Sequence, residues 1–255
     1  YMDFEAYNKN RFDYKSSSRD VKKMLRELDA ANIDGLILDL RGNGGGFLFE
    51  AYSLAKLFIG RGNVVQVMEA NGTLQSLGHN LGQQNYDGPI VILVDKLSAS
   101  ASEILAGVIQ DYDRGLVIGS QTFGKGTVQR MIELSHGHLK FTEQKYYRVS
   151  GESTQNKGVE PDITIPLVFN DEEIGERSYE NSLPYNHIDP IFYRSFNKVE
   201  NVDLLKTISS NRTNSNEMSI YISSQQDFYE NEKNNNVVPI NVEKRKSMKF
   251  AREAK

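Results

Sequence analysis

The sequence predicts an α/β chain with a layered core of mixed sheet, followed by a C-terminal region that is mostly helical. Three observations lead there. Short, wholly apolar runs such as GLILDL and PIVILVD have the length and composition of buried parallel strands. They alternate with segments whose apolar residues recur at helical spacing, the order expected of a β/α layer fold. From about residue 169 the composition turns polar and Asn-rich, with DEEIGERSYENS and later NEKNNN.

The elements follow in order. Ser16–Ser18 and Asp20 precede Val21, Met24, Leu25 and Leu28 at helical spacing, which predicts a helix over about 18–31. DGLILDL is a strand, RGNGGG a glycine turn, and FLFEAYSLAKLFI the next helix. In NVVQVMEANGTLQSL, Asn71-Gly72 separates two strand-like runs and signals a hairpin. GPIVILVD, ASEILAGVIQDY and RGLVIG then read as strand, helix and strand. After Lys125 the pattern changes to TVQRMIEL, the turn SHGH and LKFTEQKYYRV, an antiparallel pair. The opening YMDFEAY has neither a basic region nor an apolar targeting segment and reads as mid-strand, so a piece of a longer protein is expected.

Composition narrows the chemistry. A formal charge of −4 over 255 residues gives no general attraction to nucleic acid or to an anionic membrane. Without Cys, thiolate catalysis, disulfides and Cys-ligated metals are excluded, so a nucleophile must be Ser, Thr, Lys or a carboxylate. No paired His stand at the spacing of a helical metal site, so no metal is expected.

GSQTFGKGTVQ, residues 119–129, is close to a phosphate-binding loop, but Gly126 stands where that loop needs Ser or Thr. The residues after Lys125 also favour a strand, whereas a phosphate cradle needs a helix N-terminus there. As an alternative, Lys125 is a solvated lysine between turn glycines. A third reading comes from LSASASEI upstream, where a buried strand gives way to a helix. Ser100 with Glu103 fits a capping box. The same geometry would expose the Ser100 hydroxyl and aim the Ala101 amide at an oxygen that becomes negative in acyl transfer. Such a serine needs a base, and His79, His136, His138 and His187 all sit in polar loops or flank a turn. A lysine serves if its pKa falls from about 10.4 toward 7 or 8, a shift equivalent to roughly 3 to 5 kcal/mol and achieved by burial. A Ser-Lys dyad therefore accounts for Lys125 better than a phosphate cradle does.

At these residues the sequence resembles the C-terminal processing peptidases, and among them the tail-specific protease branch. The resemblance is carried by DGLILDLRGNGGG, GPIVILVDKLSASASEI, QDYDRGLVIGSQTFGKGTVQ and QKYYRVSGESTQNKGVEPDI over about residues 15–168, and GERSYENSLPYNHIDP extends it. It implies a crotonase-like core over 1–168 and a tail-specific type C-terminal region over 169–255. By resemblance Ser100 is the nucleophile, Lys125 the general base and Gln129 the residue that positions the lysine amine. Ser98 and Ser102 are then structural. Ala101 and Gly46 supply the oxyanion-hole amides, with Gly45 as the alternative to Gly46. Glu103 and Asp111 match positions implicated in this branch, against a plain reading as a cap and a surface charge. The implied activity is an endopeptidase acting on unfolded or C-terminally tagged proteins, without metal or other cofactor. The family also implies a PDZ domain ahead of the first helix, an envelope adaptor as partner, and a periplasmic or cell-envelope location in a Gram-negative bacterium. No PDZ domain is visible in these 255 residues. The competing reading is a non-catalytic relative that uses the fold as a binding module.

Overall fold

The computed structural model describes residues 15–78, 83–166, 174–196, 199–234 and 239–253. The strand expected at the opening residues and His79 lie outside them. In chain order the elements are α1 (Ser17–Ala30), β1 (Leu36–Asp39), α2 (Leu48–Ile59), β2 (Val65–Glu69), β3 (Leu74–Leu77), β4 (Ile90–Val94) and α3 (Ala101–Asp111). They continue with β5 (Leu116–Gly119), β6 (Thr127–Glu133), β7 (His138–Tyr147), β8 (Ile163–Thr164), α4 (Val202–Thr213), α5 (Asn216–Asn234) and α6 (Val242–Glu253).

The four strands β1-β4-β5-β8 form a parallel sheet. Ile92 of β4 and Val117 of β5 are fully buried, as are Ala55 and Phe58 of α2 and Ala106 and Ile109 of α3. This explains why β4 and β5 read as unbroken apolar runs, since strands covered by helices keep little surface for water; β1 is only partly covered, with Ile37 67% exposed. α1 starts at Ser16, whose hydroxyl accepts the Arg19 N–H at 3.2 Å. The same hydroxyl donates to Glu50 of α2 at 2.7 Å, which joins the two helices.

A second, antiparallel sheet has the order β3-β2-β7-β6. The β2–β3 hairpin turns at Asn71-Gly72 as expected, with Gly72 at φ 85° and Met68 opposite Leu74. β2 also pairs with β7, setting Val67 beside Tyr146. That pairing spans most of the core and leaves no local trace in the sequence. The two-residue β8 is likewise too short to show a period.

The chain divides into two compact units, one of Tyr1–Pro166 with Asp171–Ser210 and one of Leu167–Asn170 with Asn211–Lys255. Among the described residues α-helix in the C-terminal region begins at Val202; before it, a 3-10 turn at Glu176–Ser178 is followed by irregular chain. That stretch is not helical because its backbone bonds go to the core, Ile188 N–H to Gly151, Ile191 N–H to Val149 and Phe196 N–H to Tyr112. In the second unit α5 and α6 leave Ile220, Tyr221 and Phe250 exposed. Among the described residues no helix is long and apolar enough to cross a membrane.

β5 ends at Gly119 with φ 137°, and a β-carbon there would overlap the Val94 carbonyl. Gly119→Ala is expected to destabilise by about 3 kcal/mol or more, because strain and overlap act together. Gly72→Ala, at a similar φ sign but in open space, is expected to lose only about 1 to 2 kcal/mol. Denaturant midpoints of the two variants measure the contrast.

Candidate active site

The glycine loop after β1 and the serine loop after β4 leave adjacent parallel strands at the same end of the sheet, where such folds place their sites. Asp95 joins them: its carboxylate accepts Gly42 N–H at 2.9 Å, Leu97 N–H at 2.9 Å and Ser98 N–H at 3.0 Å. Ser98 Oγ donates to the Leu40 carbonyl at 2.8 Å, and Ser102 Oγ to Asn43 Oδ1 at 3.0 Å. Both flanking serines are therefore engaged in stitching the two loops together.

Ser100 between them is different. It adopts φ 57° and ψ −113°, a region L-residues rarely enter, as the residue preceding α3. Such a conformation persists only when its surroundings hold it. Its N–H donates to Glu103 Oε2 at 2.7 Å, and its carbonyl accepts Ile104 N–H at 3.0 Å. Ala101, next in the chain, opens the helix, where an amide has no intrahelical acceptor. Gly45 lies against this turn with φ 95°, and a β-carbon there would sit 2.9 Å from both Ala101 N and Ser100 Cβ. Its N–H donates to Asn43 Oδ1 at 2.9 Å. The space beside the Gly46 α-carbon is open.

Glu103 is a cap, but it is no surface charge. It is fully buried, and four groups donate to it: Ser100 N–H, Lys125 N–H at 2.9 Å, Gly124 N–H at 2.7 Å and Thr122 Oγ at 2.6 Å. Burial pushes its pKa up to about 7 while these donors pull the other way. Tyr146 of β7 adds a second bridge. Its buried hydroxyl contacts the carbonyl of Lys125, lies 3.3 Å from that of Ser100, and accepts from Thr154 Oγ at 2.9 Å.

Lys125 leads into β6, a strand, as the chain pattern requires. Its Nζ donates to Gln129 Oε1 at 3.3 Å. Burial lowers the amine pKa below the ordinary lysine value, and the positive charge of Lys140 adds to this while Glu176 and Glu103 oppose it. The amine lines a cleft of about 760 Å³ with Gly44, Phe123, Gln129, Lys140 and Tyr179.

Asp111 lies at the far end of α3, away from Ser100. It is partly buried, with its side chain 7% exposed, and pairs in two places with the Arg148 guanidinium at 2.6 and 3.0 Å. Burial raises its pKa and Arg148 opposes the rise. His136, His138 and His187 are exposed. Thr122, Tyr146, Thr154 and Gln155 escaped the sequence reading. All four fall in matched blocks, but their side chains act on segments distant in the chain.

Comparison with known proteins gives the chain its family. A tail-specific protease of Haemophilus influenzae is 41% identical over 199 residues, covering 74% of this chain and 29% of that protein. A carboxyl-terminal-processing protease of Synechocystis is 38% identical over 153 residues, covering 59% of this chain and 36% of its own. The chain thus spans roughly a third of the curated relatives it matches. Among solved structures, a photosystem II D1 C-terminal processing protease superposes with a TM-score of 0.54 at 32% identity, over 61% of this chain and 41% of that one. Residues 169–255 match the C-terminal domain of tail specific protease. Residues 1–165, which include the Ser100 turn, Glu103 and Lys125, match peptidase family S41, and the chain belongs to that family.

Proposed function

We propose that this chain is the catalytic part of a serine endopeptidase of the tail-specific kind. It cleaves unfolded or C-terminally tagged polypeptides through an acyl-enzyme on Ser100, with Lys125 as general base. One contact carries the reading: a single carboxylate oxygen, Glu103 Oε2, takes the amide hydrogens of both Ser100 and Lys125, at 2.7 and 2.9 Å. The hydroxyl and an amine of lowered proton affinity thereby start from one anchor.

In the first step the neutral Lys125 amine takes the Ser100 Oγ proton as Oγ bonds to the scissile carbonyl carbon. The carbonyl oxygen becomes an oxyanion, held by the amides of Ala101 and Gly46. Gly45 serves by shape, since its N–H is already given to Asn43. The Lys125 ammonium passes its proton to the departing amine as the C–N bond breaks, leaving an ester on Ser100. A water deprotonated by the same amine then attacks that ester, and Ser100 Oγ recovers its proton. Gln129 accepts one amine hydrogen and so directs the lone pair.

In the whole protein we assign residues 1–168 to the peptidase core and 169–255 to the tail-specific C-terminal region, with an upstream PDZ domain to capture substrate C-termini. The same reading gives an envelope adaptor as partner and a periplasmic or envelope location. The non-catalytic alternative is disfavoured by the retention of Ser100, Lys125 and Gln129 together.

In the full-length protein Ser100→Ala and Lys125→Ala are each expected to lower kcat/KM by about a thousand-fold or more, because nucleophile and base act as a unit. Ser98→Ala and Ser102→Ala should retain a substantial part of it. Full activity in Lys125→Ala would remove the mechanism.

The pH profile tests the base separately. Activity should rise with pH along a limb whose apparent pKa lies below about 10.4, and Gln at His79, His136, His138 and His187 should leave that limb in place. A histidine base would instead give a limb near about 6.5 that vanishes with one of the four.

Stability carries a signature of Glu103. Its folded pKa, about 7, lies above its ordinary 4.5, so the native state holds the extra proton between them. Unfolding free energy should therefore fall as pH rises through that window, and Glu103→Gln should flatten the slope. Because the Gln amide turns donors toward donors, that variant should also lose about a hundred-fold or more in activity. An unchanged slope in a folded Glu103→Gln would reject the assignment.

A further inference from the structure

Residues 175–183 belong by sequence to the stretch matched as the C-terminal domain, yet they fall in the same compact unit as the peptidase core. Their bonds converge on the turn that carries Lys125. Glu176 N–H donates to the Phe123 carbonyl at 2.9 Å, two residues before the lysine. Just after it, Gly126 N–H donates to Gln155 Oε1 at 2.9 Å. The fully buried Gln155 then spends its amide hydrogens on the segment, donating to the Leu183 carbonyl at 3.0 Å and to Glu176 Oε1 at 3.3 Å. Asn156 Nδ2 donates to the same Leu183 carbonyl at 3.0 Å, and the Tyr179 ring packs 6.4 Å from Phe123. Across the cleft of about 760 Å³, Glu176, Tyr179 and Glu180 face Lys125, Gln129 and Lys140.

We propose that residues 175–183 are a strap belonging to the catalytic machinery: they wall the substrate cleft and, through the positioning residue Gln155, hold the turn that presents the Lys125 base. The inference rests on the Ser-Lys reading above. Its physical ground is that a buried amide with acceptor and donors all committed cannot release either side without leaving buried polar groups unpaired. The strap therefore cannot loosen without loosening the lysine turn. It also brings charge to the amine. Around Lys125, β7 presents Lys140, α3 presents Glu103, and the strap presents Glu176 and Glu180. The Glu176 carboxylate favours the ammonium form, so its charge works against the base.

The test uses the full-length protein and measures kcat, KM, the pH profile of kcat/KM and Tm. Glu176→Gln keeps an acceptor for Gln155 but removes the charge; the basic limb is expected to move to lower pH with little change in Tm. Tyr179→Ala is expected to raise KM several-fold with kcat nearly unchanged. Gln155→Ala should lower kcat about tenfold and move the limb to higher pH, because a freed turn lets water reach the amine. Lys125→Ala is measured alongside. If it is inactive while Glu176→Gln and Tyr179→Ala match wild type in limb and KM, the strap is overturned and the dyad stands. If Lys125→Ala is fully active, both fall. Should Gln155→Ala fail to fold, the Glu176 and Tyr179 variants decide alone.

Discussion

The arrangement depends on one buried carboxylate. Among the described residues Glu103 forms no salt bridge, although the Lys125 amine feels its charge; its carboxylate is met by three backbone amides and a hydroxyl. Burying an ionised group without such partners is prohibitive, so the chain segments that supply the donors are pinned to it as firmly as it is pinned to them. Those segments are the turn at Ser100 and the turn from Thr122 to Lys125, which the Phe123 N–H to Ser98 carbonyl bond and the Tyr146 hydroxyl also tie together. Helix α3 turns the arrangement into a frame, because Glu103 sits in its first turn and Asp111, tied to Arg148, anchors its last.

Around this anchor the backbone is held in conformations it would not choose. Ser100 has a positive φ without being glycine, and Gly45 approaches so near that no side chain fits. Strain of this kind survives where hydrogen bonds over-determine the turn, and here the Ser100 amide and carbonyl are both tied. Ser98 and Ser102 contribute the stitching that makes this possible. Alternation of serines is thus a division of labour: two hydroxyls are consumed in structure and the middle one is left beside the first amide of a helix.

Much of this was legible in the chain. The apolar runs gave β4 and β5 because covered strands have no polar alternation to obscure them, β1 was legible from its run although Ile37 is exposed, and Asn71-Gly72 gave its hairpin because turn chemistry is local. Ser100, Lys125 and Gln129 stood out by motif; Lys125 and Gln129 line one cleft, and Ser100 is tied to Lys125 through the Glu103 carboxylate. What stayed hidden was non-local: the β2–β7 pairing, the two-residue β8, and the hydroxyl of Tyr146 reaching two carbonyls. Glu103 shows the limit most clearly. A glutamate three residues after a serine reads as an ordinary cap, and only the fold reveals that its other oxygen faces Thr122 and Gly124. Polar composition after residue 169 suggested helix, but polar residues also suit a segment whose backbone bonds lie on a core.

The Lys125 amine is only half-buried, open on the side of the cleft. A histidine base needs a partner to select its tautomer; a lysine needs dryness, since water at the amine favours the charged and idle form. In the proposed mechanism an empty cleft therefore keeps the base partly switched off, and a polypeptide that fills it expels the water and sharpens the base. Such an enzyme carries its own safeguard. Under the proposed function, a protein that cannot enter the cleft would leave the amine hydrated, so the proposed preference for loose chain ends would rest on the hydration of one nitrogen.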